Sequence, residues 1–358
     1  MTWQTATRIP DAADIQAYIQ GQRPNSTIRL GVISNPFSRT NARTRLHDRQ
    51  LPGYLSDPRD AVHTRTASEV DRALNHLLFE RRVNVLGLNG GDGTLHLGLN
   101  RLVALQREVE GRLGMRMELP RLLFLNGGTL NVVSRATGTT GNPARTVRSF
   151  YRRYAGATLA HIQAAPLRVL EVEVMNGSER IEHRYGFVFG SELVANALEM
   201  YGLFGEGYGG LLRFFSEVAL GYTLNTRLWQ EHGWKLDAPI TSLSLDGMIT
   251  PTYLATVAST INLSLVKGAL TALKVRSSTG YSVRIITETK AGSVIRSIPK
   301  LLVGASHSSI VDVPEAGELC VYGGYTLDGE VFLDRTPAGQ HRMIRVTSAP
   351  FHIQGIAL

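Results

Sequence analysis

The chain holds a single cysteine, Cys320, in 358 residues, so an internal disulfide is excluded. A reducing compartment is the expected setting. No window offers about 18 uninterrupted apolar residues, so no membrane-spanning helix is expected. The opening residues, MTWQTATRIPDAADIQAYIQ, lack a basic start followed by a long apolar core, so no secretory signal is expected there. Lysine is scarce: it occurs at Lys235, Lys267, Lys274, Lys290 and Lys300, and every other one of the 38 basic residues is arginine. Two nucleotide signatures are also missing. There is no G-x-x-x-x-G-K-[ST], which excludes a P-loop. There is no G-x-G-x-x-G with an acid about 20 residues later, which argues against a Rossmann dinucleotide site.

What is present is ordinary for a globular protein: 43% hydrophobic and 19% charged residues, over a length that suits two domains. The formal charge is +8. An arginine-rich surface suits phosphates of nucleotides, nucleic acids or anionic lipids. The arginines are scattered rather than blocked, so composition bias is an equal reading.

The first third alternates in period. TIRLGVISNP (27–36), VNVLGLN (83–89) and RLLFLN (121–126) are short apolar runs that predict buried strands. SEVDRALNHLLFERR (68–82) places Val70, Ala73, Leu74, Leu77 and Leu78 at helical spacing. LHLGLNRLVALQREVE (95–110) does the same with Leu95, Leu99, Leu102, Val103 and Gln106. Alternating strands and helices predict a doubly wound parallel sheet, whose ligands bind beyond the carboxyl ends of the strands. Three strand ends there carry unusual chemistry: SNPFSRTN, NGGDGT and NGGTLN. Glycines let the backbone approach a ligand, and amides at a helix start attract anions. A carboxylate, Asp92, in the middle of such a turn repels phosphate unless a divalent cation sits between them.

GGDGTLHLGLNRL strongly resembles the GGDGT motif of the diacylglycerol kinase catalytic domain family, which includes bacterial lipid kinases, sphingosine kinases and ceramide kinases and shares its fold with NAD kinases. ISNPFSRTN is similar to the family's Asn-Pro-x-Ser, LNGGTLNVVSRATG to its Gly-Thr-x-Asn segment, and YTLDGEVF (325–332) to its Asp-Gly-Glu. The resemblance runs from about Thr27 to the C-terminus. It implies an α/β nucleotide domain over 27–160 after an N-terminal extension (1–26), then a β-sandwich domain with inserted helices over 161–339. Residues 340–358 are a candidate for return to the first domain.

Carried onto this chain, the resemblance implies ATP and magnesium as cofactors and a nucleotide in the cleft between the domains. Asn35, Thr64, Gly90, Gly91, Gly93, Thr94, Gly128, Thr129 and Asn131 would contact the nucleotide. Asp92 and Asp328 would serve the metal, and Glu330 would be the general base toward a lipid hydroxyl. A peripheral cytoplasmic enzyme that visits an anionic membrane surface is implied, without nucleic-acid binding and with a homodimer as one option. Three departures stand out. Gln163, Val132 and Thr279 occupy positions where relatives often carry acids, and no structural metal is expected at Thr279. A weakly active or inactive nucleotide- or lipid-binding relative, and a kinase of a soluble metabolite, are the alternatives. Elsewhere His96, His161 and His307 lack metal-ligand spacing. The apolar stretch YGLFGEGYGGLLRFFSEVALGY (201–222) fits core packing as well as an acyl pocket or bilayer contact. RTNARTRLHDR (39–49) is expected to be a solvated loop.

Overall fold

The computed structural model describes residues 10–44, 49–128, 131–204, 208–237, 241–265, 270–277, 279–287, 309–334 and 341–358. His307, Thr129 and residues 45–48 of the arginine-rich loop lie outside them. The chain divides into two compact units, Met1–Leu167 with His352–Leu358, and Arg168–Phe351.

The first unit opens with α1 (Ala12–Gly21), whose Asp11 and Asp14 form a reciprocal capping box. Its sheet contains β1 (Leu30–Ser34), β2 (Ala61–His63), β3 (Val85–Gly90) and β4 (Arg121–Asn126), all parallel, in the order β2-β1-β3-β4. Register runs Leu30↔Val85 to Ser34↔Asn89 and Val85↔Arg121 to Gly90↔Asn126. Every residue of β1 and β3 is buried, as expected for strands covered on both faces. Beyond β4, Gly355 pairs with Leu122, so the C-terminal residues supply the next parallel partner.

The helices follow from the sequence pattern. α2 (Arg39–Arg43) is one short turn after β1. α3 (Ala67–Asn75) begins at a Thr66–Glu69 capping box and buries Val70, Ala73 and Leu74. The periodicity predicts one uniform helix over 68–82. The chain instead widens into a π-helical turn at His76–Glu80, which still buries Leu77, Leu78 and Phe79. α4 (Asp92–Leu113) presents Leu95, Leu99, Leu102 and Val103 to the core and stops at Gly114, whose φ of 62° is left-handed. α5 (Val132–Ala136) and α6 (Pro143–Arg153) complete the unit. Ion pairs stitch its layers: buried Asp60 holds Arg29 and Arg81, and Asp71 holds Arg101.

The second unit is built on antiparallel strands, as the family resemblance implies. β5 (Ala164–Asn176) and β6 (Glu179–Gly186) form a hairpin, with Gly177 at φ 61° in its Asn-Gly turn. β7 (Val188–Gly190) leads into helices α7 (Glu192–Gly202), α8 (Tyr208–Leu224) and α9 (Arg227–His232). Strands β8 (Leu243–Leu245), β9 (Met248–Thr250), β10 (Ala255–Ser259), β11 (Leu263–Leu265), β12 (Leu270–Leu273), β13 (Tyr281–Ile286), β14 (Ile310–Ala316), β15 (Glu318–Tyr322), β16 (Tyr325–Leu327), β17 (Glu330–Phe332) and β18 (Met343–Ile356) follow. One sheet has the order β14-β13-β10-β7-β16-β17; β18, β15, β8 and β9 run side by side in another, with β5 beside β18. The inner faces of both share one core, with Leu170 and Val172 from β5, Phe189, Tyr281 and Val283 from the facing sheet, and Leu319 and Val346 closing it. This is a β-sandwich with a helical insertion after β7. LCVYGGYTL does not run as one strand: β15 lies in one sheet and β16 in the other, and Gly323, at φ 91°, makes the change.

Candidate functional site

In the first unit the strand order reverses between β1 and β3, since β2 and β3 flank β1 on opposite sides. The carboxyl ends of β1, β3 and β4 carry the three unusual segments, which are therefore neighbours. This is the crevice where open parallel sheets bind ligands.

Gly90 ends β3, and Gly91 in extended conformation precedes α4. Asp92 is the first helical residue and Thr94 the third. The amides of a first helical turn have no acceptor within the helix, so this end of α4 suits an anion. A Cβ on Gly90 would meet the Thr94 side chain at 2.3–2.5 Å, so glycine there makes room for the threonine. Thr94 is fixed from the other side, because Asn35 Nδ2 donates to its Oγ1 at 3.1 Å. The Asn35 amide donates to Asn89 O at 2.9 Å, and its Oδ1 accepts the Phe37 N–H at 2.9 Å. Asn35 thus binds the first motif to the second.

The turn after β4 is packed directly on this one. A Cβ on Gly128 would stand 2.2 Å from Gly91 Cα, and one on Gly127 would stand 2.8 Å from Gly90 N. Asn131 takes φ 50°, and its side chain brackets Gly128: Oδ1 accepts the Gly128 N–H and Nδ2 donates to Gly128 O, both at 2.9 Å. Asp92 Oδ1 accepts the Val133 N–H at 3.4 Å, so the carboxylate also touches the start of α5.

Two further residues shape this region without having been singled out in the sequence. Thr40 donates from Oγ1 to Gly128 O and from its amide to Gly127 O, and Asn41, 2% exposed, donates to Asn35 O. Ser38 adds a hydroxyl bond to Gly127 O at 2.9 Å. Their signal was adjacency to the Asn-Pro motif. The segment expected to be a solvated loop is, at Thr40 and Asn41, part of the clasp of the second glycine turn.

Of the expected nucleotide contacts, the structure brings together Asn35, Gly90, Gly91, Gly93, Thr94, Gly128 and Asn131, with Asp92 among them. Thr64 follows β2, is 3% exposed, and donates its amide to Ser34 O at 2.9 Å beside the end of β1. Thr129 lies outside the described residues. Gln163 is engaged by Arg153, and Val132 opens α5. Bare backbone, first-turn amides and one carboxylate fit a nucleotide's phosphates and a magnesium ion, since magnesium is commonly held by one or two carboxylates plus substrate phosphates.

In the second unit, Asp328 and Gly329 form the two-residue turn of the β16–β17 hairpin, at φ 53° and 86°. That is the backbone an Asp-Gly type I′ turn needs. Asp328 is 5% exposed, and its Oδ1 accepts the amides of Phe187 (2.8 Å) and Val188 (2.9 Å). Through Oδ1, the carboxylate expected beside a metal pins the hairpin to the β6–β7 junction. Glu330, the next residue after the turn, pairs with Leu327 and is exposed. Asp246–Gly247 repeats this construction: Asp246 has φ 50°, and its Oδ1 accepts the amides of Gly317 (2.9 Å) and Glu318 (2.7 Å). Among the described residues one group, Glu171, Glu173 and His183, brings metal-capable atoms together. Its charges are already balanced, with Glu173 bound by Arg180 and Arg345, and His183 Nε2 2.6 Å from Glu171.

The parallel α/β unit, with paired glycine turns at its switch point, has a fold of the NAD kinase-like type. Residues 29–158 match the diacylglycerol kinase catalytic domain. The whole chain is similar in fold to a diacylglycerol kinase from Bacillus anthracis (TM-score 0.55, 15% identity, 92% of this chain and 97% of that one). It is likewise similar to a proposed diacylglycerol kinase from the same organism (TM-score 0.59, 17% identity, 92% and 97%). No curated protein matches the sequence.

Proposed function

We propose that the protein is an ATP-dependent lipid kinase that phosphorylates a hydroxyl of a diacylglycerol-, sphingoid- or ceramide-like lipid. The observation that carries this reading is the contact of the two glycine turns through Gly91 and Gly128, with Asp92 as the carboxylate beside them.

Phosphoryl transfer demands positioning and charge neutralisation more than covalent chemistry. The amides of Asp92 and Gly93 and the hydroxyl of Thr94 hold the phosphates, with Asn35 orienting that hydroxyl. Asn131 holds Gly128 in the conformation that keeps the second turn against the first. Asp92 would hold magnesium, which supplies neutralisation of the transferring phosphoryl group. Glu330, exposed at a rigid hairpin end, accepts the proton of the lipid hydroxyl as the oxygen attacks. Asp328 keeps that hairpin in place. No helix among the described residues is long and apolar enough to cross a membrane. A peripheral encounter with an anionic surface, aided by the net charge of +8, supplies the lipid.

The test is incubation of the protein with labelled ATP, magnesium and a fractionated lipid extract, followed by identification of the labelled product. One lipid fraction should take up label. Asp92→Asn should abolish the transfer with the fold intact. Glu330→Gln should slow it by about 10²–10⁴ while ATP affinity changes little, the usual range for a lost general base. No labelled lipid from any fraction, or wild-type turnover in both variants, rules the reading out.

A further inference from the structure

The second unit contains a cavity of about 420 Å³ that the kinase reading does not use. Its walls are of two kinds. Val174, Ile344, Tyr325 and Phe332 make an apolar side, the first three almost fully buried. The Tyr325 and Phe332 rings stack at 4.8 Å and 23°, and Phe189 continues the stack behind Tyr325 at 5.8 Å. The polar side holds Glu182, Arg184, Asp334 and Arg342. Glu182 is paired with Arg184 at 2.5 Å. Asp334 Oδ2 accepts the Arg342 amide at 3.1 Å and lies 3.5 Å from His341 Nδ1. Both acids therefore have partners. The exposed Arg342 guanidinium makes no ion pair among the described residues, so it is the group of this wall open to an anion. An apolar slot beside such a guanidinium suits a ligand with an apolar body and an anionic end.

We infer that this cavity is an effector site for a single-chain amphiphile with an anionic head, carboxylate or phosphate. The head lies against Arg342, and the chain runs along Val174, Ile344 and the two rings. The geometry also says what the ligand would control. Tyr325 and Phe332 are a cross-strand pair of the hairpin whose last pair is Leu327 and Glu330. Arg184 braces that pair: its Nε donates to the Tyr325 hydroxyl at 3.1 Å, and its guanidinium lies 4.2 Å from the Phe332 ring centroid. A chain lying on these rings stiffens the hairpin that carries Glu330. The binding claim stands apart from the kinase reading; only its effect on turnover rests on it.

The experiment is calorimetric titration of the full chain with decanoate, decyl phosphate, decanol and inorganic phosphate, each below its aggregation concentration. At least one of the two anionic chains should bind at a single site, and the tighter of them identifies the head group. Decanol should bind about tenfold more weakly, because it lacks the charge that Arg342 would pair. Inorganic phosphate should not register. Arg342→Gln, an exposed change, should weaken the anionic chain about tenfold and leave decanol unaffected. Leu333→Trp, which fills the mouth of the cavity, should lower the affinity of every chain. Bound ligand should slow hydrogen exchange at the amides of Val331 and Phe332, a readout independent of activity. Failure of both anionic chains to bind, or equal affinity for decanol and decanoate, overturns the proposal. So does unchanged affinity in Arg342→Gln. If lipid phosphorylation fails while these titrations succeed, the kinase reading falls and the site stands.

Discussion

Gly91 and Gly128 touch through bare backbone: a Cβ on Gly128 would stand 2.2 Å from Gly91 Cα and 3.0 Å from Gly91 N. Both neighbours are main chain, so neither can swing aside. Gly128→Ala should therefore force the turns apart and destabilise the protein by about 1–3 kcal/mol, the usual cost of overpacking. Affinity for a non-hydrolysable ATP analogue should fall with it. Gly21→Ala, which meets nothing within 4 Å, is the control. Chemical denaturation and analogue titration of both variants check this, and a Gly128→Ala protein with parental analogue affinity would contradict it.

Asn131 combines a left-handed backbone with two side-chain bonds to Gly128. The two contributions separate by substitution. Asn131→Gly keeps the backbone free to adopt positive φ and loses only the bonds, at about 1 kcal/mol each or less. Asn131→Ala loses the bonds and also strains φ, which adds about 1–2 kcal/mol. The alanine variant should thus melt below the glycine variant. Equal melting temperatures would mean that the backbone conformation at 131 is not strained.

Asp328→Asn distinguishes pinning from metal binding. Asparagine tolerates positive φ and keeps an acceptor for the Phe187 and Val188 amides, so the hairpin should survive and stability should change by less than about 1 kcal/mol. Retained turnover in this variant would make Asp328 a positioning residue for Glu330. A loss of turnover with altered magnesium dependence would return the carboxylate to the metal. Asp246→Asn, with the same construction, should match it in stability.

Glu192 opens α7, half-buried beside Gly323, and burial raises its carboxyl above the ordinary value; Asp334 adds to the rise and His341 opposes it. A raised folded value means that the group's contribution is fully present below the unfolded pKa and is lost as pH rises through the folded one. At neutral pH the charged form is therefore a burden. Glu192→Gln should raise the melting temperature at pH 7–8, and the gain should shrink as pH falls through the raised folded value and be gone below about 4.5. A gain independent of pH would assign it to packing instead.

The site was legible in the sequence to the extent that its chemistry is local. Glycine and asparagine at strand ends follow from backbone freedom, and 121–126 is a strand as its apolar run predicts. The partners of those residues were not legible, because they lie far along the chain. Nothing near Asp328 announces that its carboxylate is received by amides some 140 positions earlier. Nothing in GGY says that the chain changes sheets at Gly323. The π-helical turn at His76–Glu80 hides for a related reason: its apolar residues keep their buried face, so the pattern stays helical while the bonding widens. Thr40 and Asn41 were passed over because hydroxyls and amides after a motif look like solvated loop. Their acceptors are Gly127 O and Gly128 O, brought in from the far turn, and Asn35 O.

The pairing of Gly355 with Leu122, and the burial of Ile356 in the core formed by Leu30, Val85 and Leu123, bear on how the protein is made. A ribosome delivers the strands of the first unit early, yet that unit lacks one edge partner until residues 352–358 emerge. The whole of 168–351 is translated in the interval. During that wait the open edge of β4 is a place for stray strands to pair, and a chaperone has most reason to attend there.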